Sequence, residues 1–331
     1  MSERRLRNRF ILSRAKSAVL LGALLFFCFP VELRGRAQQE GQDVPTKVGE
    51  LLSAGNLTKA EKISSAFLSE HSKDPEAFLK IGRIHFEHEQ WERAASLLRK
   101  SLELQNRNDV AHLLLGLSLE AMNQSSEAER ELQLAVEQNP RSDTNWFMAG
   151  RHLLLEGKYE ASLAYFYKAI ELSPENPRGY QALASALART GSYGLAETYY
   201  KKAIAIVEKQ RLQVIEPYLD LSYLLLLSEK KETATSALEY TRKALAMTPR
   251  SAEGRYLCGK ALLKLERHAE ARAELAEAAK LNPQDARPYF LLAQIYDRLG
   301  DHARAREARK TFARLNNRRV DEAPPAVETR P

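Results

Sequence analysis

Between residues 143 and 176 the apolar positions fall into two helical stripes separated by a break. Trp146, Ala149, Gly150 and Leu153 recur at i, i+3, i+4 and i+7, and Gly157 interrupts the pattern. Tyr159, Ser162, Phe166 and Ala169 mark a second stripe, which Pro174 ends. Such spacing puts the apolar side chains on one face of each of two helices. Large residues alternate with small ones, so the helices must pack closely, with Gly150 and Ser162 making room for Trp146, Tyr159 and Phe166. The unit is a helix–turn–helix of 34 residues.

The same pattern carries in both directions. Units start at 41, 75, 109, 143 and 177, each 34 residues after the last. Their eighth positions read Val48, Gly82, Gly116, Gly150 and Ala184, and their twentieth Ala60, Ala94, Ala128, Ser162 and Ala196. Gly55, Glu89, Asn123, Gly157 and Gly191 occupy the turn. Small residues at fixed helical offsets are what close helix–helix contact requires. The register then slips twice. Residues 211–214 are expected to add about one turn to the second helix of the fifth unit, where Glu208 replaces the usual terminating proline. The unit 215–251 carries three extra residues near Glu229–Thr235, and 252–285 and 286–319 return to 34.

Length and pattern together resemble the tetratricopeptide repeat, a helical pair that stacks into a solenoid. The resemblance implies an all-α, right-handed α-solenoid of about eight such repeats over residues 41–319, in units 41–74, 75–108, 109–142, 143–176, 177–214, 215–251, 252–285 and 286–319. The end units are atypical, as caps facing water should be. Lys47 and Ser64 stand in the first where the family prefers apolar residues, and the last helix carries Arg304, Arg306, Arg309, Lys310 and Arg314.

Outside the array, residues 1–37 read as an export signal. Six basic residues from Arg4 to Lys16 precede the apolar run Ala18–Phe29, closed by Pro30. As a helix that run would reach about 18 Å, short of the ~30 Å hydrocarbon core, and Gly35 and Ala37 supply small residues for cleavage. The alternative is an uncleaved N-terminal anchor, the sole membrane contact expected. Residues 38–40 form a linker, and 320–331 are expected to be a disordered tail unable to form a core. An exported chain, periplasmic or secreted, follows.

Charge narrows the partners. The chain has 50 Lys and Arg against 43 Asp and Glu, a net of +7. Eight of the basic and two of the acidic residues lie in 1–37, leaving 42 against 41, a net of +1. Without the leader the chain lacks the basic excess that nucleic-acid binding draws on, so no nucleic-acid partner is expected. Of the two cysteines, Cys28 lies in the leader, so the processed chain has only Cys258 and no internal disulfide.

No recognised nucleophile or metal motif occurs, so no enzyme activity, cofactor or metal is expected. The nearest candidate, His85-Phe86-Glu87-His88-Glu89, lacks the HExxH spacing that sets two imidazoles and a base around zinc. His85 stands at a packing position, and Cys258 reads as a small buried hydrophobe.

The resemblance also implies where a ligand would lie. In such solenoids the first helix of each pair lines the concave side, and positions 2, 5, 9, 12 and 13 of each unit form its outward stripe. The candidate peptide-binding groove is Leu79, Arg83 and Phe86; Leu113 and Leu117; Phe147, Arg151 and Leu154; then Arg189, Tyr223, Tyr256, Lys260 and Phe290. Apolar side chains are to form its floor and Arg and Lys its anchors, selecting a protein or peptide that is apolar with acidic flanks. The function expected is a non-enzymatic scaffold in an extracytoplasmic compartment. The alternatives are a self-associating structural envelope component or an RNA-binding helical repeat protein. The Lys and Asn constellation by which chaperone-binding relatives clamp a terminal carboxylate is missing.

Overall fold

In six of the eight predicted units the residue just ahead decides where the first helix begins. Asp74, Asn108, Ser142, Asn176, Ser251 and Asp285 each accept a hydrogen bond from a backbone N–H in the following turn. Each thereby satisfies one of the donors that a helix start leaves open. The computed structural model describes residues 43–321, with side chains to 317. The leader and linker, with residues 322–331 of the tail, lie outside the described residues.

Among the described residues there are sixteen helices and no strand. Eight lie in a first compact unit ending at Glu175: α1 Val44–Ser53, α2 Leu57–Glu70, α3 Pro75–Glu87, α4 Trp91–Leu104, α5 Asp109–Ala121, α6 Ser125–Gln138, α7 Asp143–Leu155 and α8 Tyr159–Leu172. Eight lie in a second, from Asn176: α9 Pro177–Arg189, α10 Tyr193–Lys209, α11 Glu216–Leu225, α12 Lys231–Met247, α13 Ala252–Lys264, α14 His268–Leu281, α15 Ala286–Arg298 and α16 His302–Asp321. In both units odd and even helices pair antiparallel across a short turn.

The turns use left-handed backbone where the sequence places its break. Gly55, Gly157, Gly191 and Gly300 have φ between 73° and 86°. Glu89, Asn123 and Glu266 adopt the same conformation at the equivalent positions, with φ of 58–62°. Close pairing accounts for the small residues at position eight. A methyl group on Gly150 would stand 2.9 Å from Tyr165 Cβ and 3.0 Å from the Phe166 ring, and one on Gly259 would stand 2.6 Å from Leu275 Cγ.

Two details differ from the sequence reading. Residues 211–214 are not helical: α10 gains its extra turn before them, ending at Lys209, and the chain then reverses at Arg211, where φ is +53°. α11 consequently starts at Glu216, with Ile215 at its N-cap and no capping side chain. The additional residues of the sixth unit are shared between the connection 226–230 and a longer α12 of 17 residues.

The first unit's core runs through the pair interfaces. Val48, Ala60, Leu68, Ile81 and Leu97 join α1–α4, and Leu98, Leu114, Leu115, Leu132 and Met148 join α4–α7. In the second unit the second-helix side chains Tyr200, Leu238 and Leu275 and the first-helix side chains Leu183, Leu221, Leu257 and Leu292 are buried in the same manner.

Candidate functional site

The stripe proposed as a groove divides once side chains are placed. On α3 and α5, Leu79, Phe86, Leu113 and Leu117 are buried, with Phe86 and Leu117 only 1% exposed. All four belong to the core shared by α3–α7. Tyr256 on α13 is buried as well. These five are therefore packing residues and offer no floor to a ligand. First helices of successive pairs touch directly in α3·α5, α5·α7, α11·α13 and α13·α15, so much of the stripe is spent between neighbours. On the helical wheel alone this contact is invisible, because the second neighbour comes from another repeat.

What stays accessible is smaller. In the first unit, Phe147 and Leu154 on α7 and Arg83 on α3 are half-buried. In the second, Arg189 on α9, Tyr223 on α11 and Lys260 on α13 are half-buried, and Phe290 on α15 is 47% exposed. Phe147 leans on Phe166 with ring centroids 6.0 Å apart, and Phe290 on Phe312 at 5.3 Å.

The cations of the stripe are also engaged from within. Glu120 at the end of α5 accepts from Arg151 Nη2 at 2.7 Å and pairs with His152 Nδ1 at 2.9 Å, both on α7. Burial pushes the Glu120 carboxyl up, but Arg151 and His152 outweigh it and hold the carboxyl below its ordinary range. Arg151 is accordingly a staple between neighbouring helices, not an anchor for an acidic ligand. Its side chain is 16% exposed and that of Glu120 13%.

The second unit repeats the device with a richer clamp. Arg287 at the start of α15 donates Nη1 and Nη2 to the two oxygens of Glu253 on α13, at 3.1 and 2.5 Å. Asp285 holds its Nε side, and the guanidinium lies 4.3 Å from the Tyr256 ring. Burial alone would lower the guanidinium pKa, yet the bonds to Asp285 and Glu253 raise it, so the charge is permanent. Gln181 of α9 donates to Asp220 of α11 at 2.7 Å, and Lys264 of α13 donates to the Ser228 carbonyl at 2.7 Å. Lys260 lies over the Tyr223 ring at 5.7 Å. Aromatic and cation thus alternate between α11, α13 and α15 as side chains that join one pair to the next.

Sequence reasoning missed Glu120, His152, Asp285 and Arg287 in this role. A signal existed, since Glu253 and Arg287 are opposite charges at the same position of consecutive units, 34 residues apart. Glu120 and Arg151 are separated by 31 residues and occupy different positions, so comparison by equal position could not find them.

The remaining chemistry-bearing groups sit in packing. Cys258 is buried, and burial pushes its thiol up to about 11. His85 is buried with neither ring nitrogen hydrogen-bonded. No group of three or more His, Cys, Asp or Glu that could hold a metal ion occurs among the described residues. Nor is any described helix long and apolar enough to cross a membrane.

This arrangement is that of a helical-repeat protein, and comparison with known proteins says which kind. The chain carries tetratricopeptide repeats: models of that repeat match residues 113–177, 177–208, 230–295 and 286–317. A further family model, that of anaphase-promoting complex, cyclosome, subunit 3, matches residues 53–135. Anaphase-promoting complex subunit 3 of Schizosaccharomyces pombe is 20% identical over 61% of this chain and 30% of its own length. BBSome complex member BBS4 of Bos taurus is 24% identical over 74% of this chain and 46% of its own length. The chain thus spans less than half the length of these curated relatives. Among solved structures, yeast Tom70 superimposes with a TM-score of 0.59 at 19% identity, covering 92% of this chain and 65% of that one. The fold is therefore an all-α tetratricopeptide-repeat solenoid.

Proposed function

We propose that the chain is a non-enzymatic scaffold whose first-helix stripe holds an apolar segment of another protein, in an extracytoplasmic compartment. Phe147 and Leu154 carry the reading. They keep apolar surface accessible on α7, while the charges around them are already satisfied by Glu120, Arg151 and His152. A rigid apolar strip needs little reorganisation to bind, and apolar accessible surface on repeat helices suits a helix or an extended peptide. Arg83, half-buried on α3, is the cation of this unit proposed to meet an acidic flank. In the second unit the same role falls to Phe290 and Tyr223, with Arg189 and Lys260 beside an acidic flank. Support of a coarser kind comes from the relatives, whose names describe a subunit and a member of multi-protein complexes. The extracytoplasmic setting rests on the basic and apolar leader.

The test is affinity capture from the source organism by the processed chain, comparing wild type with the double variant Phe147→Ala, Leu154→Ala. Neither side chain is fully buried, so the variant should keep its helical circular dichroism. Loss of a reproducible captured protein supports the stripe, whereas full retention by the folded variant would remove it as the binding surface.

A further inference from the structure

The last helix is the most basic of the second helices, with five Lys and Arg against one acid between His302 and Asn317. α6 and α14 carry Glu127 and Glu270 in their first turns, where the helix dipole favours an anion. α16, like α2 and α10, has no acidic residue there, and Arg304 occupies the equivalent position. The inward side of α16 is apolar: Ala305, Ala308 and Leu315 are buried, and Phe312 meets Phe290 of α15. Away from it lie Arg306, Lys310 and Arg314, all exposed, at i, i+4 and i+8. One row of like charge thus runs along two turns of the helix at intervals of about 6 Å.

Asp301 and Asp297 engage Arg304 and Arg309, but among the described residues no carboxylate pairs with the row of three. Glu307 is the single acid between His302 and Asn317 and forms no ion pair with them. Like charges one turn apart repel on an isolated helix. A partner that brings carboxylates at the same interval relieves the repulsion and converts it into charge-assisted hydrogen bonds. An acidic helix has that interval by construction, since its own i, i+4 and i+8 positions rise by the same amount.

Nucleic acid and membrane fit less well. Among the described residues the row has no exposed aromatic side chain beside it on which bases could stack, because Phe312 is turned to Phe290 and Tyr296 lies under Arg304. The apolar side that could enter a lipid interface is used against α15. Beyond residue 37 the chain is nearly neutral, so it lacks the broad basic excess that nucleic-acid binding draws on.

We propose that the outward face of α16 docks an acidic helical segment of a partner protein through Arg306, Lys310 and Arg314. This surface is separate from the stripe bearing Phe147 and Leu154.

The experiment titrates the processed chain into a labelled alanine-based helical peptide with Glu at i, i+4 and i+8, read by fluorescence anisotropy. The Gln counterpart of the peptide, random-sequence duplex DNA and phosphatidylserine vesicles are run in parallel, at low and at physiological salt. The Glu peptide should bind, and the Gln peptide should bind about tenfold more weakly. The triple variant Arg306→Glu, Lys310→Glu, Arg314→Glu should raise Kd about tenfold or more, and Gln at all three sites should raise it about threefold or more. Because all three side chains are exposed, melting should not change. Phe147→Ala with Leu154→Ala should leave peptide binding intact, which separates this surface from the stripe. The proposal is overturned if the Glu peptide does not bind, or if its Kd is unchanged in the reversed chain. Should the reversed chain misfold, an unchanged Kd in the Gln variant has the same force. Tighter binding of DNA or vesicles that depends on the same three residues would reassign the surface and also overturn it.

Discussion

Arg151 is paired at a largely buried position with Glu120, 2.7 Å away, and His152 completes the set. Removing Glu120 leaves both partners desolvated and unpaired, and removing Arg151 leaves the carboxylate with His152 alone; breaking comparable buried pairs costs about 3–5 kcal/mol. Arg151→Glu should therefore lower the denaturation midpoint strongly, by placing a second carboxylate beside Glu120. The double change Arg151→Leu, Glu120→Leu should recover much of the loss; a midpoint equal to that of Arg151→Glu would show that the pair is not the cause. His85 poses the opposite problem, since it is buried with no hydrogen-bond partner. Burial, then Arg93, lowers its pKa below the ordinary 6.5, with His88 acting the same way and Glu61 opposing. The unfolded chain binds the proton more readily, so the stability from neutral His85 is lost as pH falls through about 6.5, and the loss levels off below the lowered folded value. His85→Phe should remove that share of the acid slope. Unfolding curves between neutral and mildly acidic pH that stay parallel for wild type and variant would count against it.

At the scale of the helical pair, the turn and the position-eight contact make separate demands. Glu89 holds φ at +58°, a left-handed conformation that costs an L residue about 1–2 kcal/mol, partly offset by the entropy a glycine would lose. Glu89→Gly should consequently raise the melting temperature slightly. Gly150→Leu should do the reverse, because its Cβ meets the base of Tyr165 and the Phe166 ring, neither of which can swing away. Overpacking of this kind costs about 1–3 kcal/mol. The two variants act at different positions of the repeat, the turn and the helix contact, and their opposite signs can be read in a single denaturation series. Equal signs would mean that the assigned register is wrong. The caps follow the same logic, and the one first helix of the second unit without a capping side chain, α11, is the one that follows the displaced connection 210–215.

For the molecule as a whole, stability is a chain of nearest-neighbour contacts. Within each unit a helix touches its own partner and the adjoining pair, and little else. α2 buries only Ala60, Ser64 and Leu68, whereas α5 buries nine of its thirteen residues. Native-state hydrogen exchange should therefore be fastest in α1–α2 within the first unit and in α16 within the second, with α5–α6 and α13–α14 slowest. Uniform protection along either unit would refute nearest-neighbour stacking as its source of stability. The basic character of the full chain does not bear on this, because it comes mainly from residues 1–37.

The sequence by itself determined the helical pairs. The stripe through Trp146, Gly150 and Leu153, the small residue facing it at Ser162, and the turn at Gly157 are local facts, fixed by 3.6-residue periodicity and by the backbone freedom of one residue. It also showed which helix face was free of the partner helix. Only the tertiary structure decided what covered that face. Leu79, Phe86, Leu113, Leu117 and Tyr256 are placed in the core by the neighbouring pair, and Arg151 and Arg287 by carboxylates 31 and 34 residues away. Those contacts depend on the rotation and offset between successive pairs, quantities that no single 34-residue unit contains. Exposed rows such as Arg306, Lys310 and Arg314 remain legible in both, because nothing among the described residues packs over them.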